Sequence, residues 1–159
     1  MKKIKLSQGK FAIVDNEDYI KLNKITWYYD YRKYGGYAKH SDKKNNTSIY
    51  MHRIILNSKN DKFVDHNNGN TLDNRKINLR ICTPQQSVMN RGKQINNSSG
   101  YKGVYESKDQ PRNKKWVAQI RLNRKTIFIG LFLTKIEAAK AYDKKAKELF
   151  GEFAKLNNI

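Results

Sequence analysis

Val64-Asp65-His66-Asn67-Asn68-Gly69-Asn70 is the stretch from which the fold and the chemistry of this chain are inferred. The Asp-His pair follows an apolar residue and leads into a loop in which Asn and Gly tolerate tight turns and positive φ. Asn78-Leu79-Arg80 begins twelve residues past the histidine. This spacing can bring a metal-binding carboxylate, a general base and a residue that orients the base into one small unit.

These residue types suit the hydrolysis of a phosphodiester. A neutral histidine at about pH 7 can take a proton from water, and a carboxylate that holds Mg²⁺ can help to neutralise the leaving oxygen. Asn78 can hydrogen bond to the imidazole and fix its tautomer. Adjacent strand residues point to opposite faces, so Asp65 and His66 can serve one phosphate only at a strand end or a bend.

The charge of the chain favours a polyanionic partner. Its 159 residues include 33 Lys and Arg against 14 Asp and Glu, and this formal net charge of +19 favours nucleic acid. A basic ribosomal type of surface and a membrane-surface protein are the alternatives. The chain has no apolar run of about 18 residues and no signal peptide at its start. A single cysteine, Cys82, excludes an internal disulfide and a cysteine-based zinc site.

Length and composition predict two domains. Residues 92–98 are polar and turn-prone, as expected of a linker between a domain at 1–91 and a domain at 99–159. Both domains have an excess of basic side chains, so we expect both to contact the phosphate backbone of a nucleic acid.

Short strands are expected at the start of the first domain. Phe11–Val14 is a brief apolar run, Gly35-Gly36 predicts the turn of a hairpin, and residues 49–56 fit a buried strand or a short helix. The aromatic residues between positions 19 and 37 are expected to form the core and sheet faces, with base stacking as the alternative.

The second domain is predicted to be three strands followed by a helix. The strands are expected at 103–105, 116–122 and 125–132. Thr134-Lys135-Ile136-Glu137 is a capping box that begins the helix, and Gly151 ends it. The helix can cover one face of this sheet. The other face would present a polar and aromatic surface suited to the DNA major groove, formed by Gln119, Arg121, Thr126 and Phe128.

The first domain resembles the HNH homing endonucleases of phages and bacteria. The resemblance is carried by Tyr50-Met51-His52-Arg53, Val64-Asp65-His66-Asn67-Asn68-Gly69, Leu72-Asp73-Asn74-Arg75 and Asn78-Leu79-Arg80-Ile81. It implies a ββα-metal (His-Me finger) fold, a hairpin crossed by a helix. It also implies that Asp65 is a metal ligand, that His66 is the general base and that Asn78 orients the base. His52 is expected to be structural or to face a phosphate. Phosphate contacts are expected at Arg53, Arg75, Arg80 and Arg91.

The chain departs from this family at one position. The third residue of the family motif, a His or Asn that binds the metal from the crossing helix, falls at Ser87. A serine hydroxyl is a poorer ligand for a divalent ion than an amide oxygen or an imidazole. Asn90 matches another Asn of the family, and Pro84 suits the first turn of the helix. Weak, conditional or absent cleavage therefore stays open as an alternative.

The second domain is similar to the APETALA/ethylene-response-factor (ERF) type of DNA-binding domain. The resemblance is carried by Gly100-Tyr101-Lys102-Gly103-Val104, Lys115 to Arg121, Ile129 to Phe132 and Glu137 to Asp143. It implies that the sheet enters the major groove. The contacting positions of that family fall at Lys102, Tyr105, Gln119, Arg121, Thr126 and Phe128. Several of them differ from the plant residues, so the plant target sequence cannot be carried over.

These observations together predict an α+β protein with an N-terminal ββα-metal module and a C-terminal three-stranded antiparallel sheet with one packed helix. We expect a monomeric homing-type endonuclease that binds double-stranded DNA and nicks it with one Mg²⁺ or Mn²⁺ ion. We expect it inside a bacterial host, encoded by a phage or mobile element, and not at a membrane. The alternatives are a DNA-binding regulator that has lost cleavage, and a phage inhibitor that binds a host protein.

Overall fold

The computed structural model describes residues 1–32, 35–42, 44–58, 62–107, 115–157 and 159. The chain is a mixed α+β protein with small antiparallel sheets and few helices. It divides into a first unit, Met1–Ser87, and a second unit, Val88–Ile159. The stretch 92–98 falls within the second unit, and its role as a linker stays a prediction.

Short strands and short helices make up the first unit. The strands are β1 (Lys2–Lys5), β2 (Phe11–Val14), β3 (Tyr28–Arg32), β4 (Gly35–Asp42), β5 (Thr47–Tyr50), β6 (Phe63–His66) and β7 (Leu79–Cys82). The helices are α1 (Asn16–Leu22), α2 (Met51–Ile55) and α3 (Pro84–Met89), of which α3 runs into the second unit. β1 pairs with β2, β4 lies between β3 and β5, and β6 pairs with β7.

The core of the first unit is apolar and is built mainly from the first half of the chain. Its buried members are Ile4, Leu6, Ala12, Val14, Leu22, Trp27, Ala38 and Met51. The indole Nε1 of Trp27 donates to the Leu22 carbonyl at 2.8 Å, so the largest buried ring keeps a partner for its polar atom. The expected core role is confirmed for Trp27, whereas Tyr31 is 70% exposed.

The structure decides the predictions made for Gly35-Gly36 and for residues 49–56. The hairpin predicted around Gly35-Gly36 is confirmed, because β3 and β4 pair antiparallel, but both glycines lie in β4 and not in the turn itself. Gly36 is required by packing, since a Cβ there would lie 2.3 Å from the ring of Tyr29. Residues 49–56 combine the two expected alternatives: β5 ends at Tyr50 and α2 begins at Met51.

The second unit has the predicted order of three strands and a helix. The strands are β8 (Val104–Glu106), β9 (Trp116–Leu122) and β10 (Lys125–Phe132), and the helix is α4 (Lys135–Phe150). β9 is the central strand, and α4 packs on the sheet face that carries Ala118 and Ile120. The capping box is confirmed, because Glu137 N donates to Thr134 Oγ1 and Thr134 N donates to Glu137 Oε2, both at 3.2 Å.

Candidate functional site

The hairpin of β6 and β7 holds the residues singled out in the sequence. Its register places Asp65 opposite Arg80. The loop between the strands is closed by Asn67 N, which donates to the Asn78 carbonyl at 2.8 Å. His66 is the last residue of β6, so the Asp-His pair lies at a strand end, where its two side chains can approach one substrate group.

The carboxylate of Asp65 is bound by the guanidinium of Arg80. Asp65 Oδ2 accepts from Arg80 Nε at 3.1 Å and from Nη2 at 2.9 Å. Both side chains are largely buried, with 11% of Asp65 and 15% of Arg80 exposed. Arg80, expected to contact a phosphate, is thus also the partner of the carboxylate expected to bind a metal.

The imidazole of His66 is buried and held in its neutral form. Only 4% of the residue is exposed, and its Nε2 lies 3.4 Å from Asn74 Oδ1. Burial lowers the pKa of His66, and the Asn74 contact and the carboxylates of Asp65 and Asp73 oppose that shift in part. A neutral imidazole has a lone pair on one ring nitrogen and can accept a proton.

Asn78 contacts the loop backbone and not the imidazole. Its Oδ1 accepts from Asn68 N at 2.9 Å, and its Nδ2 donates to the Asp73 carbonyl at 2.7 Å. Both amide atoms are thereby used, and the residue is buried. The prediction that Asn78 bonds to the imidazole is therefore wrong. Asn74 has that position, and Asn78 fixes the loop that carries Asn74.

Asp73 and Arg75 form a second ion pair inside the loop. Arg75 Nε donates to Asp73 Oδ1 and Arg75 Nη2 donates to Asp73 Oδ2, both at 2.7 Å. Asn68 Nδ2 adds a bond to Asp73 Oδ2 at 2.9 Å. These bonds, that of Arg75 first, lower the pKa of Asp73. Arg75, expected to contact a phosphate, is thus bound to a loop carboxylate on one side.

The same loop is hydrogen bonded to the edge of β2. Asn74 N donates to the Ile13 carbonyl at 2.7 Å, and Ile13 N donates to the Leu72 carbonyl at 2.8 Å. Ile13 and Asp73 form a parallel bridge through these bonds. The sequence pattern gave no signal for this contact or for Asn74 as the partner of His66, because both depend on packing between distant segments.

The rings of His52 and Tyr37 pack against the imidazole of His66. The ring of His52 lies edge-on to His66, with centroids 5.2 Å apart, and is stacked on Tyr50 with centroids 5.6 Å apart. Tyr37 packs against both histidines. His52 is buried, and burial, with the nearby His66 and Arg53, lowers its pKa to about 3. The imidazole of His52 is therefore neutral at physiological pH.

Acidification is expected to destabilise the chain through His52. Its pKa falls from 6.5 to about 3 on folding, so the unfolded chain binds an extra proton in this window and stability decreases as the pH falls through it. Between about pH 7.5 and about pH 5 the expected loss is about 2 kcal/mol, measurable by urea unfolding.

A matched variant distinguishes the contribution of His52 to this loss of stability from that of the other groups that titrate in this range. His52→Phe keeps a ring against Tyr37, Tyr50 and His66 but has nothing to protonate. Its stability should therefore fall less between the two pH values than that of the wild type. Equal losses in both proteins would contradict this account.

Helix α3 carries the third predicted motif position. Pro84 begins the helix as predicted. Thr83 N donates to Gln86 Oε1 at 2.8 Å and Gln86 N donates to Thr83 Oγ1 at 3.2 Å, an N-terminal capping arrangement. Ser87 is half-buried on this helix. Among the described residues, no three His, Cys, Asp or Glu side chains are grouped as metal ligands.

Five of the residues predicted to contact DNA lie on one face of the second-unit sheet. The strand register pairs Arg121 with Thr126 and Gln119 with Phe128, and it places Tyr105 on the same face. Phe128 is 62% exposed and Tyr105 is 42% exposed. Exposed aromatic rings on the sheet face that carries the exposed Arg121 suit contact with nucleic acid.

The other basic residues predicted to contact DNA differ in their exposure and in their bonds within the protein. Lys102 Nζ donates to the Met89 carbonyl at 2.7 Å, and burial lowers the pKa of Lys102 to about 8, so its ammonium is bound within the second unit. Arg53 is half-buried and lines a shallow pocket with Lys21 and Asn57. Arg91 is exposed.

Comparison with known proteins finds a viral relative of this chain. The chain is 32% identical over 154 residues to an uncharacterized HNH endonuclease of Acanthamoeba polyphaga mimivirus, and the match covers 96% of this chain and 77% of the relative. No protein-family model and no solved structure matches. Within the described part of the chain, no helix has the length and apolar character needed to cross a membrane. At this identity and coverage, the chain belongs to the HNH endonuclease family.

Proposed function

We propose that the chain is a homing-type DNA endonuclease that hydrolyses a phosphodiester of one strand with the help of a divalent metal ion. The observation that carries the proposal is the buried, neutral His66 beside Asp65 at the end of β6, in a chain of the HNH endonuclease family. The net charge of +19 supports DNA as the substrate.

His66 is assigned the role of general base. Its lowered pKa keeps the imidazole unprotonated at neutral pH, which is the form that accepts a proton from water. Asn74 Oδ1, which lies 3.4 Å from Nε2, can fix the tautomer of the ring, and the imidazole takes a proton from the water. The water oxygen then bonds to phosphorus as the ester P–O bond breaks. Asn78 acts indirectly, because it holds the loop that carries Asn74.

Mg²⁺ or Mn²⁺ is the cofactor that these residues fit. Asp65 would hold the ion together with phosphate oxygens and water, a donor set that Mg²⁺ commonly uses, and the Ser87 hydroxyl is the second candidate ligand. The bound ion would stabilise negative charge on the leaving oxygen. The ion would share the Asp65 carboxylate with Arg80, whose Nε and Nη2 both donate to Oδ2.

A supercoiled-plasmid assay tests this function. The protein with Mg²⁺ or Mn²⁺ is expected to convert supercoiled DNA to the open-circular form, and EDTA is expected to abolish the conversion. Failure to nick with either ion, by folded protein in excess over the plasmid, would remove the nuclease proposal.

Ser87 provides a gain-of-function prediction. Replacing a weak hydroxyl ligand by Ser87→Asn or Ser87→His is expected to raise metal-dependent nicking, because an amide oxygen or an imidazole binds a divalent ion better. The measurement is the nicking rate across a Mg²⁺, Mn²⁺ and Co²⁺ titration. Ser87→Ala is the control that removes the hydroxyl. If neither ligand variant exceeds the wild type with any ion, the lost-ligand account is wrong.

We further propose that the second unit binds double-stranded DNA in the manner of the ERF type, with its exposed sheet face in the major groove. The common face shared by Tyr105, Gln119, Arg121, Thr126 and Phe128 supports this assignment. Domain limits of 1–91 and 99–159, with a linker at 92–98, belong to the same proposal, as does a monomer acting on DNA. The bound ammonium of Lys102 makes it the weakest of the proposed contacts.

Arg121 is the residue whose loss should weaken DNA binding most clearly. If Arg121→Ala removes a phosphate contact, the slope of log affinity against log salt should flatten by about 0.9 for all sequences. If it removes a base contact, the cost should be about 1–3 kcal/mol on the cognate site and small elsewhere. Lys125→Ala is the control, because Lys125 pairs with Leu122 on the opposite sheet face. Equal effects of the two variants would argue against this face.

A second candidate function is supported by the contacts of the residues proposed to bind the metal. Asp65 is bound by Arg80, and the third motif position is a serine. A chain of this kind that does not cleave would be a DNA-binding regulator or a phage inhibitor that binds a host nucleic-acid-binding protein. The plasmid assay separates the candidates, since only the nuclease produces metal-dependent nicks.

A further inference from the structure

His52 has a buried ring nitrogen that the fold leaves unsatisfied. The residue is 7% exposed, and its Nδ1 has no hydrogen-bond partner among the described residues. A buried polar atom without a partner costs free energy and calls for an explanation. A phenylalanine ring could pack on Tyr50 and Tyr37 without that cost. Packing alone therefore does not account for a histidine at this position.

The neutral charge state of His52 limits the interactions that its imidazole can make. With its pKa at about 3, the imidazole is neutral at physiological pH. It cannot bind a phosphate as a cation, which removes the phosphate-facing alternative in its ionic form. A neutral imidazole can still accept one hydrogen bond at its unprotonated nitrogen.

The position of His52 is fixed relative to His66. The two rings are perpendicular, at 83°, with centroids 5.2 Å apart, a separation at which one oxygen atom can lie within hydrogen-bonding reach of both. The ring of Tyr50, which is stacked on His52, is anchored by its hydroxyl, which donates to Asp30 Oδ2 at 3.2 Å and accepts from Arg32 Nη2 at 3.1 Å. The ring of His52 thus packs against a ring that is itself held in place.

We propose that His52 is a second imidazole of the cleavage site, whose Nδ1 accepts a hydrogen bond from the water molecule that His66 deprotonates. One proton of the water passes to His66. The other stays on the oxygen and points to His52, so that the oxygen lone pair is directed at phosphorus as the P–O ester bond breaks. His52 exchanges no proton. This inference rests on the proposed nuclease function.

Three substitutions of His52 distinguish the contribution of the Nδ1 hydrogen bond from that of the packed ring. His52→Asn places an amide atom near the position of Nδ1, His52→Gln places it near that of Nε2, and His52→Phe keeps only the ring. The measurement is single-turnover plasmid nicking by the full-length protein with Mn²⁺, at saturating protein and at a temperature where circular dichroism shows each variant folded. DNA affinity is measured in parallel.

His52→Phe and His52→Gln are expected to nick about tenfold more slowly than the wild type, with unchanged DNA affinity, because an oriented water is lost. His52→Asn is expected to recover most of that rate. The Asn and Gln pair keeps the test valid if the Phe variant does not fold.

Two results would overturn the inference while leaving the nuclease function intact. One is a nicking rate of His52→Phe or His52→Gln within about twofold of the wild-type rate. This decrease would be much smaller than the decrease of about tenfold expected for one lost hydrogen bond. The other is an Asn variant no faster than the Gln variant. A wild-type protein that does not nick at all would instead overturn the nuclease function, and this inference with it.

Discussion

Nicking by His66→Ala is expected to be at least about 10²-fold slower than nicking by the wild type, because loss of a general base typically costs 10²–10⁴-fold. The imidazole of His66 is buried against Asn74 and the rings of His52 and Tyr37, so the lowered pKa keeps it in the form that accepts a proton. DNA affinity should barely change, since a neutral group contributes little to binding a polyanion. The rate should be measured with protein in excess over supercoiled plasmid.

A second histidine of the same unit provides the control for this experiment. His40 lies in β4, and its Nδ1 is 2.9 Å from the Thr26 carbonyl. His40→Ala removes an imidazole outside the hairpin and is expected to leave the nicking rate close to that of the wild type. If His66→Ala nicks as fast as His40→Ala, the general base is another group.

Asn78→Ala is expected to reduce the free energy of unfolding by about 2–4 kcal/mol, because the backbone N–H of Asn68 and the carbonyl of Asp73 lose their partner in a largely buried loop. Nicking should fall as well, since Asn74 would no longer be held against His66. Urea unfolding gives the stability, and the plasmid assay gives the rate.

Asn70→Ala is the matched control within the same loop. Asn70 Oδ1 accepts from Leu72 N at 3.1 Å in an exposed position, so its loss is expected to cost at most about 1 kcal/mol. Equal destabilisation by the two substitutions would show that Asn78 does not clamp the loop in the way its contacts indicate.

The parts of the fold that could be predicted are those specified by neighbouring residues. The capping box at Thr134, the helix that follows and the β9–β10 hairpin are encoded in local patterns and have the predicted form. The hairpin signalled by Gly35-Gly36 also forms, but the two glycines lie in its second strand and not in its turn. Gly36 makes room for the Tyr29 ring inside a strand, and composition alone does not distinguish this from a turn.

The candidate site was predictable in its residue types and less so in its contacts. Asp65 and His66 lie at a strand end, as the spacing required. An asparagine amide can serve a ring or a backbone group equally well, so the pattern could not show that Asn74 faces His66 while Asn78 holds the loop. Nor could it show that Arg80 binds Asp65, because that pair depends on strand register.

The bridge between Ile13 and Asp73 also bears on the order in which the site can form as the chain is synthesised. The residues of β1 and β2 are synthesised long before the loop, and in the folded chain the β2 edge offers the N–H and the carbonyl of Ile13 to Leu72 and Asn74. Bringing together two segments so far apart in the sequence has an entropic cost and slows folding, but the closed bridge makes two backbone hydrogen bonds. β2, one of the first strands to be synthesised, is thus the edge against which the later loop beside His66 is fixed.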